Sequence, residues 1–400
     1  MCGKHIKITN GRAITSKGII NNASVIIKGN CITEITGDNI DITDAGVINA
    51  GGRYISPGFI DIHVHGGGGH DFMDGTKQAF LQAAQLHAKY GTTALTPTTL
   101  TCSQEELIHI LGIYEETVKE QNAGSRLMGM HLEGPYLAMS HKGAQDPRFI
   151  RNPDPKEYEE ILTRFNCIAR WSAAPELKGA LQLGDYLKVK NILPAFAHTD
   201  AVYEEIAEAL LHGYTHATHL YSAMNGVIRR EAQRYAGAVE AAFLMKEITV
   251  EIIADGIHLP APLLKLVYNI KGPHKTALIT DAIRGAGMPE GESTIGSLHN
   301  GLPVIIEGGV AKLPDRSAFA GSVATADRLV RNMVNMAGIP LYDAVTMMSG
   351  TPARIMGFAN KGSLSPGMDA DIIIFDDDIN IALTMVEGEI VYNKIVDAKY

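Results

Sequence analysis

The feature that most constrains this chain is an alternation of short apolar runs with longer amphipathic stretches, from Pro57 to about Gly357. This alternation is typical of βα units whose strands form a parallel sheet. Eight such units in about 300 residues favour a closed (β/α)8 barrel over an open doubly wound sheet. The predicted strands are Gly58–His65, Thr93–Thr99, Arg126–Glu133, Asn166–Ala174, Ile192–His198, Tyr214–His219, Ile248–Asp255 and Thr276–Ala282.

Helical periodicity fills the stretches between these strands. The predicted helices include Lys77–Tyr90, Ser103–Gln121, Asp154–Phe165, Ala201–His212 and Pro260–Asn269. Ser103 and Asp200 are predicted N-caps, because their side chains can accept a hydrogen bond from the first helical turn. The stretch Ser293–Leu313 has strand-like pieces and turns, which indicate an excursion between the eighth strand and the last helices.

The two ends of the chain have a different sequence pattern, which predicts short strands separated by Gly and Asn turns. The N-terminal pieces are KHIKITN, ASVIIKG and CITEITG, and the predicted C-terminal strands are Asp371–Phe375, Ile381–Val386 and Ile390–Tyr392. We therefore expect residues 1–56 and 358–400 to build one small β domain beside a barrel domain of residues 57–357.

Charge, hydropathy and cysteine content argue against a nucleic-acid-binding, membrane-spanning or disulfide-bonded protein. There are 44 acidic and 35 basic residues, giving a formal net charge of -9, so an overall basic surface for nucleic acid is not expected. No apolar run approaches the roughly 20 residues of a bilayer span, and the first residues lack the order of a signal peptide. Four cysteines without a CxxC pair predict reduced thiols. These features predict a soluble cytoplasmic protein.

Histidines and acids end several of the predicted strands. In PGFIDIHVHGGGGHD, alternation along the strand puts Asp61, His63 and His65 on one face, just before a glycine run. In RLMGMHLEGPYL the same alternation pairs His131 with Glu133, and His131, which lies deeper, is predicted to be a packed histidine. A buried carboxylate beside histidines needs a compensating cation.

The fifth and sixth predicted strands end in His198 and His219. Together with His63, His65 and Glu133 they give five potential ligands at one end of four barrel strands, which is where the active sites of such barrels lie. Nitrogen and oxygen ligands without thiolates predict a divalent ion, either zinc, iron, manganese or cobalt, with one or two ions per subunit.

Strand eight delivers Asp281 to the same end, where it could bind the ion or accept a proton from activated water. His258 follows strand seven in a loop and is predicted to contact substrate. These residue types predict metal-assisted hydrolysis, whereas no GxGxxG, Walker or GxSxG motif supports another cofactor or nucleophile.

Arg229 and Arg230 follow the sixth strand as a basic pair. Guanidinium groups suit phosphate or carboxylate, so the pair indicates an anionic substrate group; a solvated charge pair at the start of a helix would explain it equally well. Lys142 and Arg148, near the third loop, are weaker candidates.

Several motifs in order resemble those of a known family. PGFIDIHVHG, HLEGPYL, AHT, THLYSAM, ADGIHL, TDA and FAGS, over about residues 57 to 325, resemble the amidohydrolase superfamily and, within it, the N-acetylglucosamine-6-phosphate deacetylases. The resemblance implies a barrel flanked by a β-sandwich from both chain ends, a homodimer, and hydrolysis of the acetamide of N-acetylglucosamine 6-phosphate.

The resemblance also implies a role for each matching residue. Glu133, His198 and His219 would hold the main metal ion, and His63 and His65 a second one that some members lack. Asp281 would be the general base and then the acid. His258 would contact the sugar or its acetyl oxygen, and the backbone of Ala223 would bind substrate. Arg230 would bind phosphate, and in such dimers it can reach the neighbouring subunit's pocket.

Three positions depart from the family pattern: Ser222 replaces a common Asn, Gln145 a frequent His, and Phe319 a usual Leu. They leave room for a related acylated amino sugar. A cyclic-amide hydrolase of the dihydropyrimidinase type is a second hypothesis, although strand four, NCIARWSAAPE, ends without the lysine that many of those enzymes carboxylate. A non-catalytic barrel is the third, but no predicted ligand or base is missing.

Overall fold

The computed structural model describes residues 5–37, 42 and 45–395, so Cys2 lies outside the described residues. The chain opens with five strands: β1 (His5–Thr15), β2 (Gly18–Lys28), β3 (Cys31–Thr36), β4 (Gly46–Asn49) and β5 (Tyr54–Pro57). β1, β2 and β3 form antiparallel hairpins, and β4 and β5 run parallel to β1. This is the first half of the expected terminal β domain.

The middle of the chain alternates strands and helices as predicted. Its strands are β6 (Phe59–Val64), β7 (Gly66–Gly67), β8 (His70–Asp71), β9 (Thr92–Thr99), β10 (Arg126–Leu127), β11 (Met130–Glu133), β12 (Ile168–Ala173), β13 (Leu193–Phe196), β14 (His216–Ala217), β15 (Ile228–Arg230), β16 (Gln233–Tyr235), β17 (Thr249–Ile253) and β18 (Thr276–Ile279). Its helices are α1 (Lys77–Lys89), α2 (Gln104–Glu120), α3 (Pro155–Arg164), α4 (Ala180–Val189), α5 (Tyr203–Leu211), α6 (Ala238–Leu244) and α7 (Ala261–Lys271).

The parallel strands form the expected barrel. Pairing runs β6–β9–β11–β12–β13–β14–β17–β18, with β10 also beside β9. The ends of the first and eighth strands are joined by two backbone hydrogen bonds, from Asp281 N–H to the His63 carbonyl oxygen (2.9 Å) and from His65 N–H to the Ala282 carbonyl oxygen (2.8 Å). All carboxyl ends of the strands therefore meet around one opening.

One of the two predicted N-caps is correct. The Ser103 hydroxyl accepts a hydrogen bond from the Glu106 N–H at the start of α2. The Asp200 prediction is wrong, because α5 begins three residues later with Val202 as its N-cap. Asp200 instead accepts a hydrogen bond from Ser140, and its N–H donates to Glu176, so its carboxylate serves the loops beside the barrel mouth.

The predicted excursion after the eighth strand is a four-stranded antiparallel sheet that extends beyond Ser293–Leu313. It comprises β19 (Gly291–Ile295), β20 (Leu302–Glu307), β21 (Val310–Lys312) and β22 (Phe319–Ser322). Three helices follow, α8 (Ala326–Asn335), α9 (Leu341–Met348) and α10 (Gly350–Met356). The sheet lies against one side of the barrel mouth. There the Ser322 N–H of β22 donates to the Asp281 carbonyl oxygen (2.8 Å), just after the eighth barrel strand.

The chain then returns to its first sheet with β23 (Ile372–Phe375), β24 (Ile381–Val386) and β25 (Glu389–Asn393). β23 pairs antiparallel with β5, so both chain ends share an eight-stranded sheet with its own buried core, including Ile8, Ile27, Ile374 and Leu383. The expected fold class is therefore confirmed. Within the described residues, none of the helices has the length and apolar character that a membrane span requires.

Candidate active site

Glu133, His198 and His219 meet at the mouth of the barrel, although they lie on three different strand ends. The Glu133 Oε1 atom is 2.9 Å from His219 Nε2 and 3.2 Å from His198 Nε2. All three residues are buried, and their potential ligand atoms lie within 4.8 Å of one another. The structure thus brings together the three residues predicted to hold the main metal ion.

His63 and His65 adjoin the same carboxylate from the end of β6. The distance from His65 Nε2 to Glu133 Oε2 is 3.4 Å, and that from His63 Nε2 to Glu133 Oε1 is 3.6 Å. The two Nε2 atoms are 3.3 Å apart. All five predicted ligands therefore surround one small volume, as two overlapping groups that share Glu133.

The hydrogen-bond partners of these imidazoles show that the group fits a divalent ion. His198 Nδ1 is 2.7 Å from the His141 carbonyl oxygen, and His65 Nδ1 is 3.3 Å from that of Thr98. A carbonyl only accepts hydrogen bonds, so each Nδ1 carries a proton, and each ring turns Nε2, the nitrogen left to bind a metal ion, toward the carboxylate. Nε2 atoms and carboxylate oxygens this close together need a proton or a metal ion between them, and this set of nitrogen and oxygen donors suits a divalent ion.

Backbone strain accompanies this convergence. His198, His219 and Asp281 have φ values of 46°, 28° and 48°, in the left-handed region that residues with a side chain rarely adopt. Such conformations cost about 1–3 kcal/mol each and are retained where the surrounding fold imposes them. Here they occur just after the strands β13, β14 and β18, where the chain turns over the barrel mouth.

Asp281 lies against the two histidines of the first strand. Its Oδ1 is 3.1 Å from His65 Nε2 and 3.4 Å from His63 Nε2. Burial alone would lower the pKa of His63, but the Glu133 and Asp281 carboxylates outweigh it and raise the pKa to about 9. The field at this point therefore favours positive charge, as a metal site requires.

A buried ion pair that no sequence pattern predicted lies beneath the site. Both oxygens of Glu251 accept hydrogen bonds from Arg170, at 2.6 and 2.9 Å, and His63 Nδ1 is 2.8 Å from Glu251 Oε1. Burial would raise the pKa of Glu251, but Arg170, His216 and His63 together hold it well below its usual range. The available signal was a charged residue inside each of two apolar strands, β12 and β17.

The remaining barrel histidines are packed within the same layer. His131 Nε2 is 2.7 Å from Ser172 Oγ, and its Nδ1 is 3.2 Å from Thr98 Oγ1. His216 lies between Thr249 and Glu251. Both are buried below the five predicted ligands, as expected for histidines whose nitrogens are satisfied by protein partners.

A cavity of about 570 Å³ opens above the five ligands. The predicted substrate residues that line it are Gln145, Ser222, Ala223, His258 and Phe319. His258 Nδ1 is 2.7 Å from Asp255 Oδ2, and the ring packs on Phe319 with centroids 4.6 Å apart. The His258 ring is thus held in place with Nε2 left for a ligand.

Arg230 does not line this cavity. It lies exposed on the β15–β16 hairpin, with its guanidinium 5.4 Å from the centroid of the Tyr235 ring. Arg148 pairs with the neighbouring Asp146 at the surface. Among the described residues, Lys142 is the one lysine or arginine that lines the cavity, so a single chain supplies it with little positive charge apart from the histidines.

A sequence profile of the amidohydrolase family matches residues 54–391, which include all strands of the barrel and every predicted ligand. The chain belongs to the amidohydrolase family. Metal dependence is general in this family, in agreement with the two overlapping groups of His and Glu at the barrel mouth.

Individual relatives are similar over nearly the whole chain. An N-acetylglucosamine-6-phosphate deacetylase of Lysinibacillus sphaericus is 29% identical over 388 residues, covering 96% of this chain and 97% of that protein. An N-acetylgalactosamine-6-phosphate deacetylase of Escherichia coli O157:H7 is 30% identical over 381 residues, covering 95% and 97%. The solved structure of a mutant N-acetyl-D-glucosamine-6-phosphate deacetylase from Mycobacterium smegmatis, in complex with N-acetyl-D-glucosamine-6-phosphate, matches with a TM-score of 0.90 and 29% identity, covering 98% and 100%.

Proposed function

We propose that this protein hydrolyses the acetamide of N-acetylglucosamine 6-phosphate to glucosamine 6-phosphate and acetate. The observation that carries the proposal is the meeting of Glu133, His198 and His219 beside Asp281, at the floor of a cavity large enough for a sugar phosphate. Relatives with this activity align over nearly the full length of the chain.

Glu133, His198 and His219 would hold a divalent ion, and His63 and His65 with Glu133 a second one; zinc, iron, manganese and cobalt suit these ligands. When bound, such an ion supplies Lewis-acid polarisation and lowers the pKa of water. The protein's own part is to hold the imidazoles in the required tautomers, through the carbonyl oxygens that accept from His198 and His65.

Asp281 is the proposed proton carrier. Its carboxylate lies over the ligands at the floor of the cavity, where it can accept a proton from the attacking water. The same proton then passes to the amide nitrogen as the bond between carbon and nitrogen breaks, so that the amine departs neutral. Asp281 thus serves as base and then as acid within one turnover.

The upper part of the cavity is proposed to bind the sugar. His258, fixed by Asp255, would contact the sugar or its acetyl oxygen, with Phe319 packed behind it. The Ala223 backbone and the Ser222 side chain would complete the contacts, with Gln145 lining the cavity beside them. Because Ser222, Gln145 and Phe319 depart from the family pattern, sugar recognition is where this chain is expected to differ from its relatives.

The phosphate would be bound across a homodimer, with Arg230 reaching the neighbouring subunit's cavity. The exposed position of Arg230, outside the cavity of its own chain, supports this arrangement. We also propose a cytoplasmic location. The proposed division into a barrel of residues 57–357 and a terminal domain of residues 1–56 and 358–400 is supported by the shared sheet of the two chain ends.

A second candidate substrate is N-acetylgalactosamine 6-phosphate, because a deacetylase named for that sugar is about as similar to this chain as those named for its epimer. A cyclic-amide hydrolase is less well supported, since β12 contains no lysine among its residues.

The experiment is an acetate-release assay with metal-loaded protein on both 6-phosphorylated sugars and on their unphosphorylated forms. We expect the highest kcat/KM with N-acetylglucosamine 6-phosphate and a large loss without phosphate. Preference for the galacto epimer would favour the second candidate. Absence of acetate release from all four sugars would overturn the deacetylase proposal.

A further inference from the structure

Gln145 lies in the loop after the third barrel strand and is almost completely buried, with 3% of its surface exposed. Its side chain has a protein partner at each polar end. The Oε1 atom accepts a hydrogen bond from the Thr101 N–H (2.8 Å), and Nε2 donates to Glu133 Oε2 (2.8 Å). It therefore connects the end of the second strand with the carboxylate of a proposed metal ligand.

The orientation of this amide is determined by its partners. A backbone N–H can only donate, so the amide oxygen must face Thr101 and the amide nitrogen must face Glu133. Turning the amide over would place two donors together at Thr101 and two acceptors together at Glu133. The Gln145 side chain is consequently a fixed donor directed at one oxygen of the carboxylate.

This donor makes the two oxygens of Glu133 different. Oε2 is engaged by Gln145, whereas Oε1 faces His219 Nε2 at 2.9 Å and His198 Nε2 at 3.2 Å. A half turn of the carboxylate about its last bond only exchanges two equivalent oxygens, but any smaller rotation would move the accepting oxygen away from Gln145 Nε2 and break the hydrogen bond. The amide thus keeps Oε1 beside the two imidazoles.

We propose that Gln145 is a positioning residue that orients Glu133, so that Oε1 is the oxygen offered with His198 and His219 to the main metal ion. The inference rests on the proposed function, because it assumes that an ion binds there. It gives Gln145 a role in metal binding that its predicted contact with substrate does not include.

The test is the affinity of metal-free protein for Zn²⁺, measured by competition with a chromophoric chelator. Loss of a residue that supports a metal ligand typically weakens binding by about 10- to 100-fold. We expect Gln145→Met, which keeps the length of the side chain but neither polar end, to weaken Zn²⁺ binding by that factor. Affinity within about threefold of the unmodified protein, well below that range, would overturn the proposal.

Gln121→Met is the matched control. Gln121 is another buried glutamine with both ends hydrogen-bonded, its Nε2 to the Ser125 carbonyl oxygen and its Oε1 to the Leu127 N–H. Neither Gln121 nor these partners line the cavity, so this variant should lose stability and keep its Zn²⁺ affinity. An equal loss of affinity in both variants would show a general structural effect and overturn the specific role of Gln145.

Two further measurements keep the test decisive. The thermal unfolding of each metal-free variant reports whether it folds, and Gln145→Asn, whose shorter amide cannot span both partners, replaces the Met variant if that fails. The visible absorption of bound Co²⁺ should change in either Gln145 variant because ligand geometry changes; an unaltered spectrum together with unaltered affinity would count against the proposal. If the unmodified protein binds no Zn²⁺, the proposed function itself fails.

Discussion

Among single residues, a substitution of Asp281 best distinguishes a loss of catalysis from a loss of metal binding. Asp281→Asn keeps the size and polarity of the side chain but removes the proton acceptor. General acid–base catalysis contributes about 10²–10⁴-fold, so we expect kcat for acetate release to fall by that factor. The measurement is steady-state kinetics on protein loaded with a saturating amount of one divalent ion.

The control for this variant is its metal content. Glu133, His198 and His219 remain, so elemental analysis should find as much of the main ion in Asp281→Asn as in the unmodified protein. Unchanged kcat would contradict the role of Asp281 as the proton carrier. A parallel loss of metal and activity would instead show that Asp281 acts mainly as a metal ligand.

The sequence predicted the residues of the site better than their contacts. Alternation along a strand was sufficient to bring His63 and His65 to one face, and strand ends were sufficient for His198 and His219. The partner of Gln145, the Thr101 N–H, is a backbone group from the segment just after β9, 44 positions away in the chain. No local pattern encodes such a contact.

At the scale of strands, the barrel depends on a charged layer beneath the site. Arg170 on β12 and Glu251 on β17 are fully buried and bonded to each other. Removing one member of a buried pair leaves the other charge without compensation, which costs about 3–5 kcal/mol. We expect Glu251→Leu to reduce the free energy of unfolding of the metal-free protein by that amount, measured by urea denaturation.

An exposed ion pair provides the comparison. Arg12 and Asp377 are 2.8 Å apart, but 76% of the Asp377 side chain is exposed. Such pairs contribute about 0–1 kcal/mol, so Asp377→Ala should change the same free energy little. If both variants unfold at the same urea concentration as the unmodified protein, the layer beneath the site does not have the proposed structural role.

Sequence patterns predicted which strands and helices form, but not all of their ends. All eight barrel strands and the five predicted helices occur, because hydrophobic periodicity reports burial directly. The sixth strand was predicted as Tyr214–His219 but is only His216–Ala217, since the chain turns early to carry His219 over the barrel mouth. Asp200 was mistaken for a cap because a local acid before a helix does not reveal its partners in distant loops.

In the molecule as a whole, a cluster of ion pairs connects the barrel with the sheet that is built from both chain ends. Lys361 contacts Asp371, Asp369 and Glu387, and Glu387 also accepts a hydrogen bond from Arg126 of β10, which pairs with the barrel strand β9. Burial lowers the pKa of a lysine, but these carboxylates outweigh it and hold the pKa of Lys361 above its usual value. The cluster links the barrel to the sheet built from both chain ends.

The proposed dimer, in which Arg230 acts in the neighbouring subunit's cavity, can be tested by mixing two inactive variants. Asp281→Asn and Arg230→Ala should each be poorly active with the phosphorylated sugar. If Arg230 acts in the neighbouring cavity, a mixed dimer has one site with an intact Asp281 and an arginine from its partner. Random co-assembly of the two variants makes half of the dimers mixed, so activity should recover to about one quarter of the unmodified level.

The same experiment distinguishes the opposite arrangement. If Arg230 folded back to the cavity of its own chain, each site of a mixed dimer would carry one defect, and co-assembly would restore nothing. Mixing each variant with itself gives the baseline, and an unphosphorylated sugar provides the second control, because loss of a phosphate contact should then matter little. Recovery with the phosphorylated sugar, and only after subunits exchange, requires a site shared between two chains, as the position of Arg230 outside its own cavity leads us to expect.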